Sequence, residues 1–303
     1  MSVIPGSRRW ILIAAAAVVV VSAVVAVAVI ASPSPTAPTA PPSALPSTPA
    51  PVPTATGPAY TPPDAAALAA LPDANYDAVI PGLLDAAPAA VLPIRAETFT
   101  LKADLTPLYG ADRSGPPVAS LPFLNFLGSR TVVAPVVVHD GEWTQILTPS
   151  RRELPSTSST GVAASQTMAW VRTDQLVGGA PVLQHVLVRL GAGTLSIVNT
   201  ADGAVTASYP IGVGKAATAT PVGVSYLEAR YSDPKQVVGH SIYLTGAHSA
   251  VADHPFGPDQ GLVGIHWSAV HDGAVSHACI RLDTAGDIAM AKIAVGSPVL
   301  VVP

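Results

Sequence analysis

The chain divides by its pattern of apolar and polar positions. From Trp10 to Ala31 it carries no charge at all, about 22 consecutive residues dominated by Ala and Val. At 1.5 Å per residue a helix of that length spans the roughly 30 Å hydrocarbon core of a bilayer. Arg8 and Arg9 precede the run and no Lys or Arg closely follows it. The positive-inside rule then predicts a single-pass anchor at 10–31, a cytoplasmic tail at 1–9 and the rest of the chain on the extracytoplasmic side of the cell membrane. A cleaved signal peptide ending near Ala26-Val27-Ala28 is the alternative, although the run is longer than a signal h-region. Residues 32–63 are rich in Pro, Ala, Thr and Ser and predict an extended spacer without a core. Residues 64–93 predict a weakly structured lead-in, with short helices at 65–71 and 77–84.

From residue 94 the period shortens. Short β-prone runs at 98–101, 131–138, 144–147 and 169–172 are separated by the turn formers of 110–117 and by Asp140-Gly141. This spacing predicts a small β-barrel or half-barrel over 94–178, and with Trp143 in GEWTQIL and Trp170 in MAWVRTDQL the stretch resembles a bacterial SH3-like module. Trp143 and Trp170 are either ligand-binding aromatics for a wall or protein ligand, or plain core residues. A second β-rich segment follows. Runs at 185–190 and 195–199, the hairpin turn Asp202-Gly203, and runs at 204–209, 224–227 and 299–302 predict strands. A helix is predicted at 283–293 with Asp283 or Thr284 as its N-cap. The fold class is therefore mainly β.

Composition narrows the function. Only 11% of the residues are charged, the net charge is −4, and there are 32 prolines. No basic stripe points to nucleic acid. Cys279 is the only cysteine, so no internal disulfide is possible, which is unusual for a chain expected outside the cytoplasm. It lies in Ser276-His277-Ala278-Cys279-Ile280-Arg281-Leu282, thirteen positions after the histidine of Gly264-Ile265-His266. A cysteine beside an imidazole is a candidate nucleophile, because the thiolate is the reactive form. Six histidines near one cysteine raise the option of zinc, but no metal-ligand spacing supports it, so no metal or cofactor is expected. His240, His248 and His254 could line a loop over a substrate or be structural. Asp253, Asp259, Asp272 and Asp283 read as loop and cap residues.

These motifs carry a resemblance. Residues 182–303 resemble the YkuD-type L,D-transpeptidase catalytic domain. The match rests on the Gly-Ile-His run, the Ser-His-x-Cys-x-Arg run, Tyr209–Lys215 followed by Thr220-Pro221-Val222-Gly223, and Val295–Val299. The resemblance implies a β-sandwich-like envelope enzyme acting on peptidoglycan stem peptides. Cys279 would form a thioester and pass the acyl group to an amine. His266 would be the base, with His271 and His277 as rivals, and the Trp267 carbonyl would orient it. Backbone N–H groups around His277, Ala278 and Cys279 would hold the oxyanion. Arg281, with Ser276 beside it, would bind substrate, and His277 would be a packed neighbour of the nucleophile. Hydrolysis by an L,D-carboxypeptidase, or a degraded wall-binding protein, are the alternatives. Two positions depart from the family pattern. Ala278 stands where it has Gly, and Trp267 where a small residue is common. A negative φ, and so no strain, is expected at Ala278.

Overall fold

The computed structural model describes residues 60–86, 95–254 and 261–303. The predicted anchor and nearly all of the spacer lie outside the described residues. Among the described residues no helix is long and apolar enough to cross a membrane. The described residues form one compact unit.

Its first half contains α1 (Ala65–Ala69), β1 (Leu84–Asp85), β2 (Glu97–Leu101), β3 (Leu105–Leu108), β4 (Ala119–Pro122), β5 (Val132–Val133), β6 (Pro135–Asp140), β7 (Trp143–Thr148), β8 (Thr167–Arg172) and β9 (Leu176–Pro181). They make a four-stranded sheet β1-β8-β7-β6, a three-stranded sheet β5-β2-β9 and the hairpin β3-β4. The predicted β runs are found, but in three small sheets. The hairpin β3-β4 escaped the pattern because prolines interrupt both strands. The lead-in also differs from expectation. Residues 77–84 are not helical: Ile80 and Leu83 are buried in the module core with Leu101, Leu108 and Ile146, and Val79 bridges to Arg151. Burial of these apolar side chains overrides a weak local helical preference.

The second half contains β10 (Gln184–Arg189), β11 (Thr194–Asn199), β12 (Val205–Gly214), β13 (Gly223–Tyr231), β14 (Ile242–His248), β15 (Leu262–Trp267), β16 (Gly273–Ser276), β17 (Ile280–Leu282), α2 (Thr284–Met290) and β18 (Pro298–Val302). Their order is β11-β10-β18-β13-β14-β15-β17-β12-β16, and β11 also pairs with β12. That extra pairing closes eight strands into a barrel-like sheet, a correction to the expected sandwich. Closure leaves no edge strand unpaired within the ring. Val186, Leu195, Ile211, Leu227, Tyr243, Ile265 and Ile280 fill it, with Met290 of α2 packed on the same cluster. Asp283 caps α2 by accepting from Gly286 N at 2.7 Å, as predicted. The helix ends at Met290, one turn sooner than predicted.

The two halves share a core. Ala134, Val136, Leu147 and Met168 of the module pack with Val224 and Tyr226 of β13. Polar contacts add to this seam: Ser225 Oγ donates to Gln166 Oε1 at 2.8 Å, and the buried Arg151 donates to the carbonyls of Ser249 and Ala252 at 2.8 and 3.0 Å.

Candidate active site

Parallel pairing of β15 with β17 sets Ile265 opposite Ile280 and His266 opposite Arg281. Cys279 immediately precedes β17, so this register brings the two sequence motifs to one end of adjacent strands. Between β16 and β17 the chain turns sharply through residues 277–279. Ser276 Oγ closes the turn by donating to the Cys279 carbonyl at 2.5 Å.

Ala278 has φ 93°, the only positive value at a non-glycine among the described residues. The expectation of a negative φ is thus overturned. An L-residue in this region is strained by about 1–2 kcal/mol. The Ala278 carbonyl accepts from Thr220 Oγ1 at 2.8 Å, and Thr220 Oγ1 in turn accepts from Gly214 N at 2.9 Å. Lys215 N donates to the Ser276 carbonyl at 3.0 Å. The 209–215 and 220–223 motifs are therefore the brace behind the cysteine turn. Gly214 is required there, since a Cβ would sit 2.2 Å from the Thr218 carbonyl oxygen. Thr220, whose role the sequence did not reveal, is the central member of this brace.

His266 Nδ1 donates to the Trp267 carbonyl at 2.8 Å. In the neutral ring that bond puts the proton on Nδ1 and the lone pair on Nε2. Burial holds the imidazole below its usual pKa; the Trp267 bond works against this, and Arg281 lowers it further. The ring is thus unprotonated near neutrality.

A second network, missed from sequence, supports Trp267. Its indole stacks on His240 with centroids 4.5 Å apart, and its Nε1 donates to Thr284 Oγ1 at 3.2 Å. His240 Nδ1 in turn contacts Asp287 Oδ2 at 2.7 Å, and Tyr243 O–H donates to Asp287 Oδ1 at 3.0 Å. Asp287 reads in sequence as an ordinary helix residue, and only the packing of α2 against β14 reveals its partners.

Cys279, His266, His277 and Arg281 line one cavity of about 660 Å³. Tyr231, Ile242, Leu244 and Leu262 supply apolar wall from the barrel. Tyr76 of the lead-in and Phe126 of the module reach it from the first half, whose lead-in and module share one core. His277 is exposed on the rim of this cavity, less packed than expected for a neighbour of the nucleophile. His271 is held by the Ser268 carbonyl at 2.9 Å and is not among the lining residues. His248 is fully buried and donates from Nε2 to the Tyr76 carbonyl at 2.9 Å; its role is structural. Asp259 lies outside the described residues. No group of three or more His, Cys, Asp or Glu able to hold a metal occurs among the described residues. Trp143 and Trp170 are only partly buried. Trp143 lines a separate cavity of about 780 Å³ with Tyr60, Tyr109, Arg113 and Arg172.

Comparison with known proteins agrees with the motif reading. Residues 183–301 match the family model of the YkuD L,D-transpeptidase catalytic domain. No curated protein matches the chain. Among solved structures, it is similar to an L,D-transpeptidase from Mycobacterium smegmatis, at 16% identity over 56% of this chain and 99% of that one, with a TM-score of 0.32. It is also similar to an L,D-transpeptidase from Stackebrandtia nassauensis, at 19% identity over 40% of this chain and 55% of that one (TM-score 0.30). L,D-transpeptidase 1 of Mycobacterium tuberculosis is similar at 17% identity over 45% and 78%, with a TM-score of 0.30. The family match covers residues 183–301, and the remainder of the chain lies outside it.

Proposed function

We propose that this protein is a peptidoglycan L,D-transpeptidase that uses Cys279 as its nucleophile. The observation that carries the reading is the placement of His266 and Cys279 in one cavity, with His266 Nδ1 held by the Trp267 carbonyl. That tautomer presents Nε2 as the proton acceptor. The Cys279 thiolate attacks the carbonyl of the donor stem's scissile amide. The C–N bond breaks, the terminal D-residue leaves as an amine carrying the proton taken by His266, and a thioester remains. An acceptor amine then attacks the thioester, gives up a proton to His266, and releases the thiolate. Backbone N–H groups of the 277–279 turn face the developing oxyanion, and the brace from Thr220 and Ser276 supports that role by tying up the carbonyls of Ala278 and Cys279. Arg281 supplies a planar cation for a substrate carboxylate.

Water in place of the amine gives the carboxypeptidase reaction, and the same assay separates the two. The full chain is incubated with a stem tetrapeptide, and the products are weighed by mass spectrometry. A cross-linked dimer supports transfer, and a tripeptide alone supports hydrolysis. Neither product, together with a Cys279 that iodoacetamide alkylates at pH 6 no faster than a model thiol, would leave the degraded wall-binding protein. A carbapenem should add once, at Cys279, and not to Cys279→Ala. Segment 10–31 is proposed as a single-pass anchor that holds the catalytic domain on the wall side, with an SH3-like module contributing wall or protein binding. Retention of the full chain, but not of a chain lacking 1–31, in the membrane fraction tests the anchor.

A further inference from the structure

The module does more than precede the catalytic domain. We propose that Tyr76 and Phe126 form a substrate-binding wall of the catalytic cavity and seat the aliphatic part of the donor stem peptide. This rests on the transpeptidase reading above. The Tyr76 and Phe126 rings lie 4.5 Å apart. Phe126 also meets the Tyr231 ring of β13 edge-on at 6.1 Å. Two first-half aromatics and one barrel aromatic thus form a continuous row inside the cavity that contains Cys279 and Arg281.

Both first-half residues are held in place. Phe126 sits at the tip of the β4–β5 loop, where Asn125 Oδ1 accepts from Leu127 N and Ser129 N at 3.0 and 3.1 Å. Gly128 N donates to the Asn125 carbonyl at 2.9 Å, and Gly128 takes the positive φ of 70° that the turn needs. Yet Phe126 is 37% exposed, an apolar ring presented on a braced loop and only partly covered by protein. At Tyr76, Asn75 Oδ1 accepts its N–H at 3.0 Å, and its carbonyl takes the His248 bond. A rigid aromatic surface beside aliphatic side chains suits saturated carbon and loses little entropy on binding. The charged end of a stem peptide has Arg281 in the same cavity. An isolated barrel domain would lack this wall.

The test is calorimetric binding of a stem tetrapeptide to the full chain carrying Cys279→Ala, alone and with Phe126→Ala or Leu127→Ala added. Leu127 is 39% exposed in the same loop but does not line the cavity. Phe126→Ala should weaken binding about tenfold, with Leu127→Ala unchanged. In the Cys279 enzyme, Phe126→Ala should raise KM by a similar factor, with kcat and the iodoacetamide alkylation rate little changed. Unaltered binding in Phe126→Ala, no binding to Cys279→Ala at all, or an effect seen only with a disaccharide-bearing stem would overturn the wall. Phe126-dependent binding without any turnover would sink the transpeptidase reading and leave the wall standing.

Discussion

The imidazole of His240 lies flat on the indole of Trp267, with ring planes 4° apart. This relationship explains how a bulky residue is tolerated directly after the candidate base. The indole is clamped between His240 and Thr284, and the backbone carbonyl that orients His266 belongs to the clamped residue. His240→Ala should therefore lower kcat by roughly tenfold through misplacement of His266, with KM for the stem peptide little altered. Steady-state kinetics on the two proteins checks it, and an unchanged kcat would show that the carbonyl needs no such support.

The identity of the base is tested by a pair of substitutions. His266→Gln should lower turnover by about 10² or more. His271→Gln should leave it nearly unchanged, since that ring is bonded to the Ser268 carbonyl and lies off the cavity. A reversal of the two effects would assign the base to His271.

Ala278 offers a test of strain. It is buried in a small cluster with Ala247 and Val263. At Ala247, whose φ is not positive, substitution by Gly should destabilise by about 1 kcal/mol through unfolded-state entropy and the lost methyl. At Ala278 the relief of about 1–2 kcal/mol of strain offsets those losses, so Ala278→Gly should be neutral or stabilising. Denaturant midpoints of the two variants decide the matter, and equal losses at both sites would mean that Ala278 is unstrained.

The seam between module and barrel should respond to pH through two buried groups of opposite sense. Burial pushes His248 down to about 4 from an ordinary 6.5. Its contribution is complete above pH 6.5 and is lost as the pH falls towards 4, by up to about 3 kcal/mol. Glu228, on β13 of the shared core, is pushed by burial up to about 8 from 4.5. Its contribution is complete below pH 4.5 and is lost as the pH rises through 8. Between about pH 4.5 and 6.5 the two effects oppose each other and nearly cancel, so unfolding free energy should be level there and fall as the pH rises from about 6.5 to 8. His248→Gln should make the fall begin near pH 4.5, and Glu228→Gln should leave stability rising from pH 4 to 6.5 and level above. A Gln variant whose curve keeps the wild-type shape would refute the assignment to that residue.

The candidate residues around Cys279 were legible because they are contiguous. Ser276 to Arg281 is one turn and one short strand, and its side chains can be read in order. The hairpin turn at Asp202-Gly203 and the N-cap at Asp283 were legible for the same reason: each is a local bond or a local φ, and Gly203 does take a positive φ of 71°. Strand β14 was hidden, since all seven of its residues are buried and Thr245 and His248 disguise the run as polar. Closure of the barrel could not be read either, because it depends on β11 pairing with both β10 and β12. The φ of Ala278 is set by what Thr220, Ser276 and the 247/263 cluster demand of one turn, and none of these is a chain neighbour except Ser276. Asp287 acquires its partners only when α2 meets β14. Tyr76 and Phe126 are unremarkable aromatics in the sequence. They become walls of the cysteine's cavity because apolar burial at β13, the Arg151 contacts and the His248 bond dock the module on the barrel. Local bonding is written in neighbouring residues, whereas long-range burial decides which distant ones meet.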